Sequence, residues 1–242
     1  MLQVEGLVQR FGVLRAVDGV DLTLAPGESV GVIGPNGAGK STLLALLAGD
    51  LRGSAGRVML DGRDITRLPL HARVRAGIAR AAQIPQTFAR LTVEENVRVP
   101  AAFGAGLGER AAREWVAEVL AKCSLSTRAG QPAGSLGLLD RKRLELAKAL
   151  AARPRVLLLD EIAAGLTEPE IETIVDLVRG LRDGRAILWV EHIPLALREA
   201  CERLIVMDKG AKTLDGPFAD VWQDKGLQDI YMGVPDDVLA KD

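Results

Sequence analysis

Sulfur and imidazole are scarce in this chain. The two cysteines, Cys123 and Cys201, lie far apart and form no C-x-x-C motif, so neither a thiolate metal site nor a disulfide is indicated. Their expected state is reduced and half-buried in a cytosolic protein. His71 has no second ligand near it and reads as a surface or capping group. Charge of one sign is also missing: 31 basic residues face 32 acidic ones, for a formal net charge of −1. A general nucleic-acid binder would show a basic surplus, so no nucleic-acid partner is expected. No run of about 18 uncharged apolar residues occurs, so the chain is not expected to span a membrane, and any membrane role must come through partners. The N-terminus reads as lacking a signal peptide. No internal repeat and no low-complexity tract is visible.

What is present is a core's worth of apolar residues, 48% of 242, enough for one large domain or one domain with an inserted subdomain. Within it stands Gly34-Pro35-Asn36-Gly37-Ala38-Gly39-Lys40-Ser41-Thr42, which fits the phosphate-loop pattern G-x-x-x-x-G-K-[ST] at every fixed position. The flanks fit as well. Ser29 to Ile33 is a short β-branched apolar run, read as a buried strand. Leu43 to Ala48 is helix-forming, and Gly49 is a natural stop. Strand, glycine loop and helix together let backbone N–H groups wrap phosphate oxygens, with a helix N-terminus behind them. The expected nucleotide-binding residues are therefore Asn36, Gly37, Ala38, Gly39, Lys40, Ser41 and Thr42. Lys40 would neutralise the β- and γ-phosphates, and the Ser41 hydroxyl would ligate Mg²⁺.

The rest of the chain reads as two α/β parts separated by helices. Residues 2–7 and 19–24 alternate like strands, and residues 25–28 turn into the phosphate-loop strand. Phe11, one of only four phenylalanines, sits at a strand end, where its ring could stack on a base or pack in the core. Residues 56–62 read as strand and turn, and residues 70–80 as a short helix leading to Gln83. From residue 84 to 135 the character changes. Thr92 with Glu95 three residues on makes a capping box, residues 101–108 read as a glycine-rich linker, and residues 109–122 as a helix. Another helix is expected from Asp140 to Ala152. Residues 156–161 form an apolar strand ending in Asp160 and Glu161, suited to a parallel sheet buried on both faces. A helix over 168–181, a strand over 186–190 ending at Glu191-His192, and two small strands at 203–207 and 211–215 complete the reading. The last residues are polar and expected to be mobile.

Two acids at a strand end, downstream of a phosphate loop, suit a nucleotide site beyond the carboxyl edge of a sheet. Asp160 would hold Mg²⁺ through water, and Glu161 would orient or deprotonate the attacking water. His192, also at a strand end, could reach the same pocket. With these residues in place the sequence resembles the ATP-binding subunits of ABC transporters over nearly its whole length. Gln83 falls at that family's glutamine loop. Residues 92–97 look like the start of its helical subdomain, Arg141 to Leu150 like its signature helix, and Val190-Glu191-His192 like its switch histidine. The resemblance implies a P-loop NTPase core of α/β class (residues 1–83 and 136–235) with an antiparallel β subdomain, a helical subdomain (84–135) and a mobile tail (236–242). It implies ATP and Mg²⁺ as cofactors and Glu161, His192 and Gln83 as catalytic residues. It further implies Ser41, Gln83 and Asp160 at the metal, Phe11 on the adenine, and residues 162–167 as the loop that crosses to a partner ATPase.

The finer resemblance is to the first of two ATPase subunit types in importers of branched-chain amino acids and related amides. It rests on Gly77-Ile78-Ala79-Arg80 before Gln83, on Phe88 and Leu91-Thr92-Val93-Glu94-Glu95-Asn96, on Ala164-Gly165-Leu166-Thr167, and on Ile230-Tyr231-Met232-Gly233. Such subunits sit on the cytoplasmic face of the cell membrane with two membrane-spanning permease subunits, a second ATPase and, indirectly, an extracytoplasmic substrate-binding protein. A soluble ABC ATPase of repair or translation is the alternative. Against it stand the short 84–135 segment and the single phosphate loop, and the lack of an [NT]-K-x-D motif counts against a GTPase. The chain departs from the family at Leu136-Gly137-Leu138-Leu139-Asp140, where Leu-Ser-Gly-Gly-Gln is usual, and at Ile162, where proline is usual. Without the serine and second glycine this loop is expected to serve a partner's phosphates poorly, which favours a heterodimer. Asp140 is expected to cap its helix there.

Overall fold

The computed structural model describes residues 1–225 and Leu227. Alternating hydrophobicity near the N-terminus makes β1 (Leu2–Phe11) and β2 (Leu14–Leu24), an antiparallel hairpin. Both strands are longer than the alternation indicates, because irregularities after Val4, Leu7 and Gln9 break the period of two while the pairing continues. The turn at residues 25–28 leads to β3 (Ser29–Ile33), buried along its whole length, and then through the phosphate loop into α1 (Lys40–Ala48). Gly49 closes α1 in the left-handed conformation. β4 (Ala55–Leu60) and β5 (Arg63–Asp64) complete a four-stranded antiparallel sheet of order β2-β1-β4-β5.

α2 (Leu70–Ala76) ends at Gly77, whose φ of 107° turns the chain into the edge strand β6 (Ile78–Ala81). The helix expected over 70–80 is thus half helix and half strand, and Gly77 is the dividing point. The guanidinium of Arg73 donates to the carbonyls of Leu46 and Leu47 at 2.5 and 2.9 Å, satisfying the last turn of α1. α3 (Val93–Phe103) starts on the expected capping box: Thr92 Oγ1 accepts from Glu95 N at 3.2 Å, and Glu95 accepts from Thr92 N at 2.8 Å. It runs three residues into the stretch 101–108 read as a linker, because Ala101 is fully buried among the helices.

α4 (Glu109–Lys122) follows as expected. α5 (Leu138–Ala151) begins two residues before Asp140, with Gly137 as its N-cap. The remaining elements are β7 (Val156–Asp160), α6 (Glu168–Gly180), β8 (Ala186–Val190), α7 (Pro194–Ala200), β9 (Arg203–Asp208), β10 (Ala211–Pro217) and α8 (Phe218–Trp222). The residues 230–233 and 236–242 singled out in the sequence lie outside the described residues.

The central sheet has the order β10-β9-β3-β8-β7-β6, parallel except for β10. The strands β3, β7 and β8 are buried on both faces because each face carries its own core. Val30, Val32, Leu158, Leu188 and Val190 join α1 and the antiparallel sheet on one side. Ile33, Leu157, Leu159, Ile187 and Trp189 join α3 to α7 on the other. The period of two along each strand sorts neighbouring side chains between these cores. Truncating a fully buried leucine such as Leu157 to alanine would cost about 2–5 kcal/mol. Cys123 and Cys201 are buried rather than half-buried, and burial pushes both thiols up to about 12. Among the described residues no helix is long and apolar enough to cross a membrane.

Candidate active site

Four adjacent parallel strands bring their carboxyl ends to one edge: β6 before Gln83, β7 at Asp160, β8 before Glu191-His192, and β3 before the phosphate loop. The loop is braced from below. Gly210 N donates to Ala38 O at 3.0 Å, and Asp18 N donates to Gly210 O at 2.9 Å. Gly39 (φ 101°) sits so close to β2 that a Cβ would lie 2.1 Å from Ala16 O, so only glycine fits there. This close approach also ties the β1–β2 hairpin, with Phe11 half-exposed at the end of β1, to the loop.

Lys40 is 5% exposed, and its ammonium donates to the carbonyls of Gly34 and Pro35 at 2.7 and 3.1 Å. Burial lowers its pKa, while Glu161 and Asp160 pull it back up. A buried ammonium beside the first turn of α1, where N–H groups lack intrahelical acceptors, suits an anion. Asn36 and Gly37 are exposed at the loop tip, with Ala38 buried beneath them and Thr42 partly buried.

The Ser41 hydroxyl lies 3.5 Å from Asp160 Oδ1. A hydroxyl and a carboxylate oxygen are the hard donors a magnesium ion takes, with phosphate oxygens and water completing its shell. The residues present therefore fit Mg²⁺–ATP. The second oxygen of Asp160 is held by Arg80 Nη2 at 2.5 Å.

Glu161 follows with φ 46°, a left-handed turn that costs a non-glycine residue about 1 kcal/mol or more. Its N–H donates to Val190 O at 2.9 Å. One carboxylate oxygen accepts from Gln83 Nε2, and the other lies 2.9 Å from His192 Nε2. The fold thus brings Lys40, Ser41, Gln83, Asp160, Glu161 and His192 together. His71 stands apart, exposed on α2.

Three residues of this neighbourhood carried no individual signal in the sequence. Lys142 of α5 is buried and donates to Gln83 O at 2.6 Å and Glu161 O at 3.2 Å. Burial lowers its pKa against the pull of Glu191, Glu161 and other acids. Glu191 is 1% exposed and accepts from Ala163 N (2.7 Å), Trp189 Nε1 (3.3 Å) and His192 N (3.2 Å). Burial pushes its carboxyl up to about 7 against those hydrogen bonds. Arg80 bridges Asp160 and Asp50. Arg80 is the one charged residue of the otherwise apolar β6, whereas Lys142 stands among other charged residues of α5 and Glu191 follows directly on the apolar β8.

The loop before α5 also differs from expectation. Asp140 does not cap the helix but sits in its first turn, 2.7 Å from Arg128 and 3.0 Å from Arg143. Beside the site, a groove of about 900 Å³ runs between α2, α3 and α5, lined by Leu70, Val74, Phe88, Val99 and Phe103 among others. Asn96, fully buried, clasps its rim: the side chain accepts from Phe88 N at 2.8 Å and donates to Phe88 O and Thr92 O.

Residues 17–164 match the ABC transporter family. The chain is 34% identical to the high-affinity branched-chain amino acid transport ATP-binding protein BraF of Pseudomonas aeruginosa, over 96% of this chain and 98% of that protein. It is 32% identical to the lipopolysaccharide export system ATP-binding protein LptB of Escherichia coli, over 96% and 97% of the two chains. A crystal structure of the ADP conformation of an ATP-binding cassette of an ABC transporter superposes with a TM-score of 0.85 at 28% identity, covering 97% of this chain and 99% of the other. The phosphate loop meeting two strand-end acids, on a fold shared with such a cassette, makes the chain a member of the ABC transporter family: an ATP-binding, ATP-hydrolysing subunit that works with membrane permease components.

Proposed function

We propose that this subunit powers uptake of branched-chain amino acids, or of related amides and small acids, from the cytoplasmic face of the cell membrane. It would be bound there peripherally to two permease subunits, with a substrate-binding protein on the far side. The likeness to BraF over nearly the full length of both chains supports the cargo class. The groove beside α3, with Phe88 and Leu91 exposed at its border, supports residues 84–105 as the seat of a cytoplasmic permease helix.

The observation that carries the mechanism is Glu161, bracketed by Gln83 and His192 next to Asp160 and Lys40. Phe11 stacks on the adenine, and residues 36–42 wrap the phosphates with backbone N–H groups. Lys40 moves from its two carbonyl acceptors to phosphate oxygens, a charge-assisted exchange. Ser41, Gln83 and Asp160 would hold Mg²⁺, which when bound would neutralise charge on the phosphates. Glu161 then orients the attacking water and takes its proton, and His192 and Gln83 fix the direction of that carboxylate.

Two measurements test this reading. Glu161→Gln should keep ATP affinity within a few-fold and slow steady-state hydrolysis by about 10²-fold or more; turnover near wild type would refute the role of Glu161. Proteoliposomes holding the subunit with its permease partners should accumulate leucine, valine or a short amide only with ATP. Uptake of none of these would refute the cargo class while leaving the ATPase assignment intact.

A further inference from the structure

Arg80 lies on β6, at the sheet edge, and makes two ion pairs in opposite directions. Nη2 is 2.5 Å from Asp160 Oδ2, and Nη1 is 2.7 Å from Asp50 Oδ2. Asp160 is 3% exposed, and an ionised carboxylate so deeply placed needs a cation against it. Burial pulls the Arg80 guanidinium down, but the hydrogen bonds and charges of Asp160 and Asp50 outweigh it. Its Nε is buried without a hydrogen-bond partner. The guanidinium is therefore placed by the two acids at its ends, at the expense of one of its own donors.

The two oxygens of Asp160 consequently have separate duties. Oδ2 is taken by Arg80, and Oδ1 faces the Ser41 hydroxyl. Without Arg80 the carboxylate would keep only the 3.5 Å contact to Ser41 and would rotate about its terminal torsion, which is a broad one. The outer anchor is open to the outside, since Asp50 and Arg80 both line the apolar groove.

We propose that Arg80 is a positioning residue for the metal-side carboxylate: it holds Asp160 by one oxygen so that the other is presented beside Ser41, and Asp50 in the groove wall holds Arg80. The inference rests on the assignment of Asp160 to the Mg²⁺ site made above. Two effects of Arg80 oppose each other. Its charge repels a nearby cation, and its hydrogen bond orients the ligand that receives that cation. The second is expected to dominate, as partners that orient metal ligands typically contribute about 10- to 100-fold in metal affinity.

The test is binding of a fluorescent ATP analogue to the purified subunit, once with Mg²⁺ and once with EDTA. The readout is the ratio of the two affinities. Arg80→Gln should lower that ratio about tenfold and leave the affinity in EDTA within about twofold, whereas a merely structural role would shift both affinities together. Arg80→Lys, which keeps the charge but loses the two-ended fork, should recover part of the ratio. Asp50→Asn, which touches no proposed metal ligand, should lower it about two- to threefold, since it removes one of two anchors of the same side chain. Asp160→Asn serves as the control. If it leaves the ratio unchanged, the assignment of Asp160 is wrong. If it collapses the ratio while Arg80→Gln does not, only the role of Arg80 is wrong. A raised ratio in Arg80→Gln would make Arg80 a competitor of the metal and overturn the proposal. Should Arg80→Gln not fold, wild-type ratios in both Arg80→Lys and Asp50→Asn would overturn it equally.

Discussion

Among the described helices, α1, α4 and α5 start on a glycine cap without a side-chain hydrogen bond, and two of them, α1 and α5, present opposite chemistry at their first turns. α1 follows Gly39 and carries no acid in its first turn, and the buried Lys40 opens it. α5 follows Gly137 and carries Asp140, clasped by Arg128 and Arg143, behind a Leu138 that is 39% exposed. A helix N-terminus attracts negative charge. In α1 that attraction is left for a ligand. In α5 the chain supplies its own anion and surrounds it with apolar and glycine positions that offer no hydroxyl. Similar backbones therefore do not make similar anion sites; what the first turn already holds decides.

The largest expected effect lies on the α1 side. Lys40→Ala should lower ATP affinity by about 10²- to 10³-fold, because removing one partner of a desolvated charge contact costs about 2–5 kcal/mol. Leu138→Ala in the isolated subunit should change it less than about twofold, as surface truncations usually do. Equal losses in a nucleotide titration would break the comparison.

Next comes the assembled pair. If residues 136–140 serve the partner's phosphates poorly, removing Lys40 should abolish nearly all turnover, while removing the partner's phosphate-loop lysine should leave a substantial fraction. One missing oxyanion donor costs on the order of 3 kcal/mol. The Asp140 pairings soften one part of this expectation, since two arginines offset the carboxylate's repulsion of phosphate. Equal losses, or a homodimer hydrolysing ATP at the rate of the intact transporter, would erase the difference between the two helices.

A smaller effect is expected at the groove. Phe88→Ser should cut ATP-driven uptake about tenfold, in the range of an interface anchor, and leave ATP binding to the isolated subunit unchanged. The Asn96 clasp uses the Phe88 backbone and should survive the change. Parallel losses in uptake and binding would make the segment structural.

The smallest effect is a pH slope. The carboxyl of Glu191 is raised to about 7 in the folded chain from an ordinary value of 4.5. Between those values the folded state holds the extra proton, so this group's contribution to stability is full below about pH 4.5 and is lost as pH rises through about 7. Thermal unfolding of wild type should weaken from pH 5 to 8 relative to Glu191→Gln, by an amount on the order of 1–3 kcal/mol. Identical slopes would show that the carboxyl titrates normally.

Much of this architecture was legible in residue patterns because the patterns are local. The phosphate loop, the capping box at Thr92 and the apolar strands ending at Asp160 and Val190 state their own geometry within a few residues. The misreadings share a cause as well. At residues 70–80 and 101–103 the outcome depended on partners distant in sequence: β7 pairs with Ile78–Ala81, and the helical core takes Ala101. Asp140 read as a cap because its arginine at position 128 lies outside its helix. The individual roles of Arg80, Lys142 and Glu191 were not legible for the same reason: they come from the carboxylates, carbonyls and N–H groups that these side chains meet in the folded chain. The short α7 between β8 and β9 also went unread.

The place of β3 in the sheet has a consequence in time. Ser29–Ile33 is made early in synthesis, but its two neighbours are Ala186–Val190 and Arg203–Asp208, more than 150 residues downstream. Until the ribosome has released those segments, β3 has no partner on either side and the phosphate loop has no floor, since the carbonyl of Met207 and Gly210 come later still than β8. The N-terminal hairpin can form at once from its own contacts, whereas the nucleotide site must wait for pairings that close long loops. A prematurely terminated chain would therefore carry the intact loop sequence and still fail to hold ATP. Nucleotide retention thus reports that the described fold has been made through to its last strands.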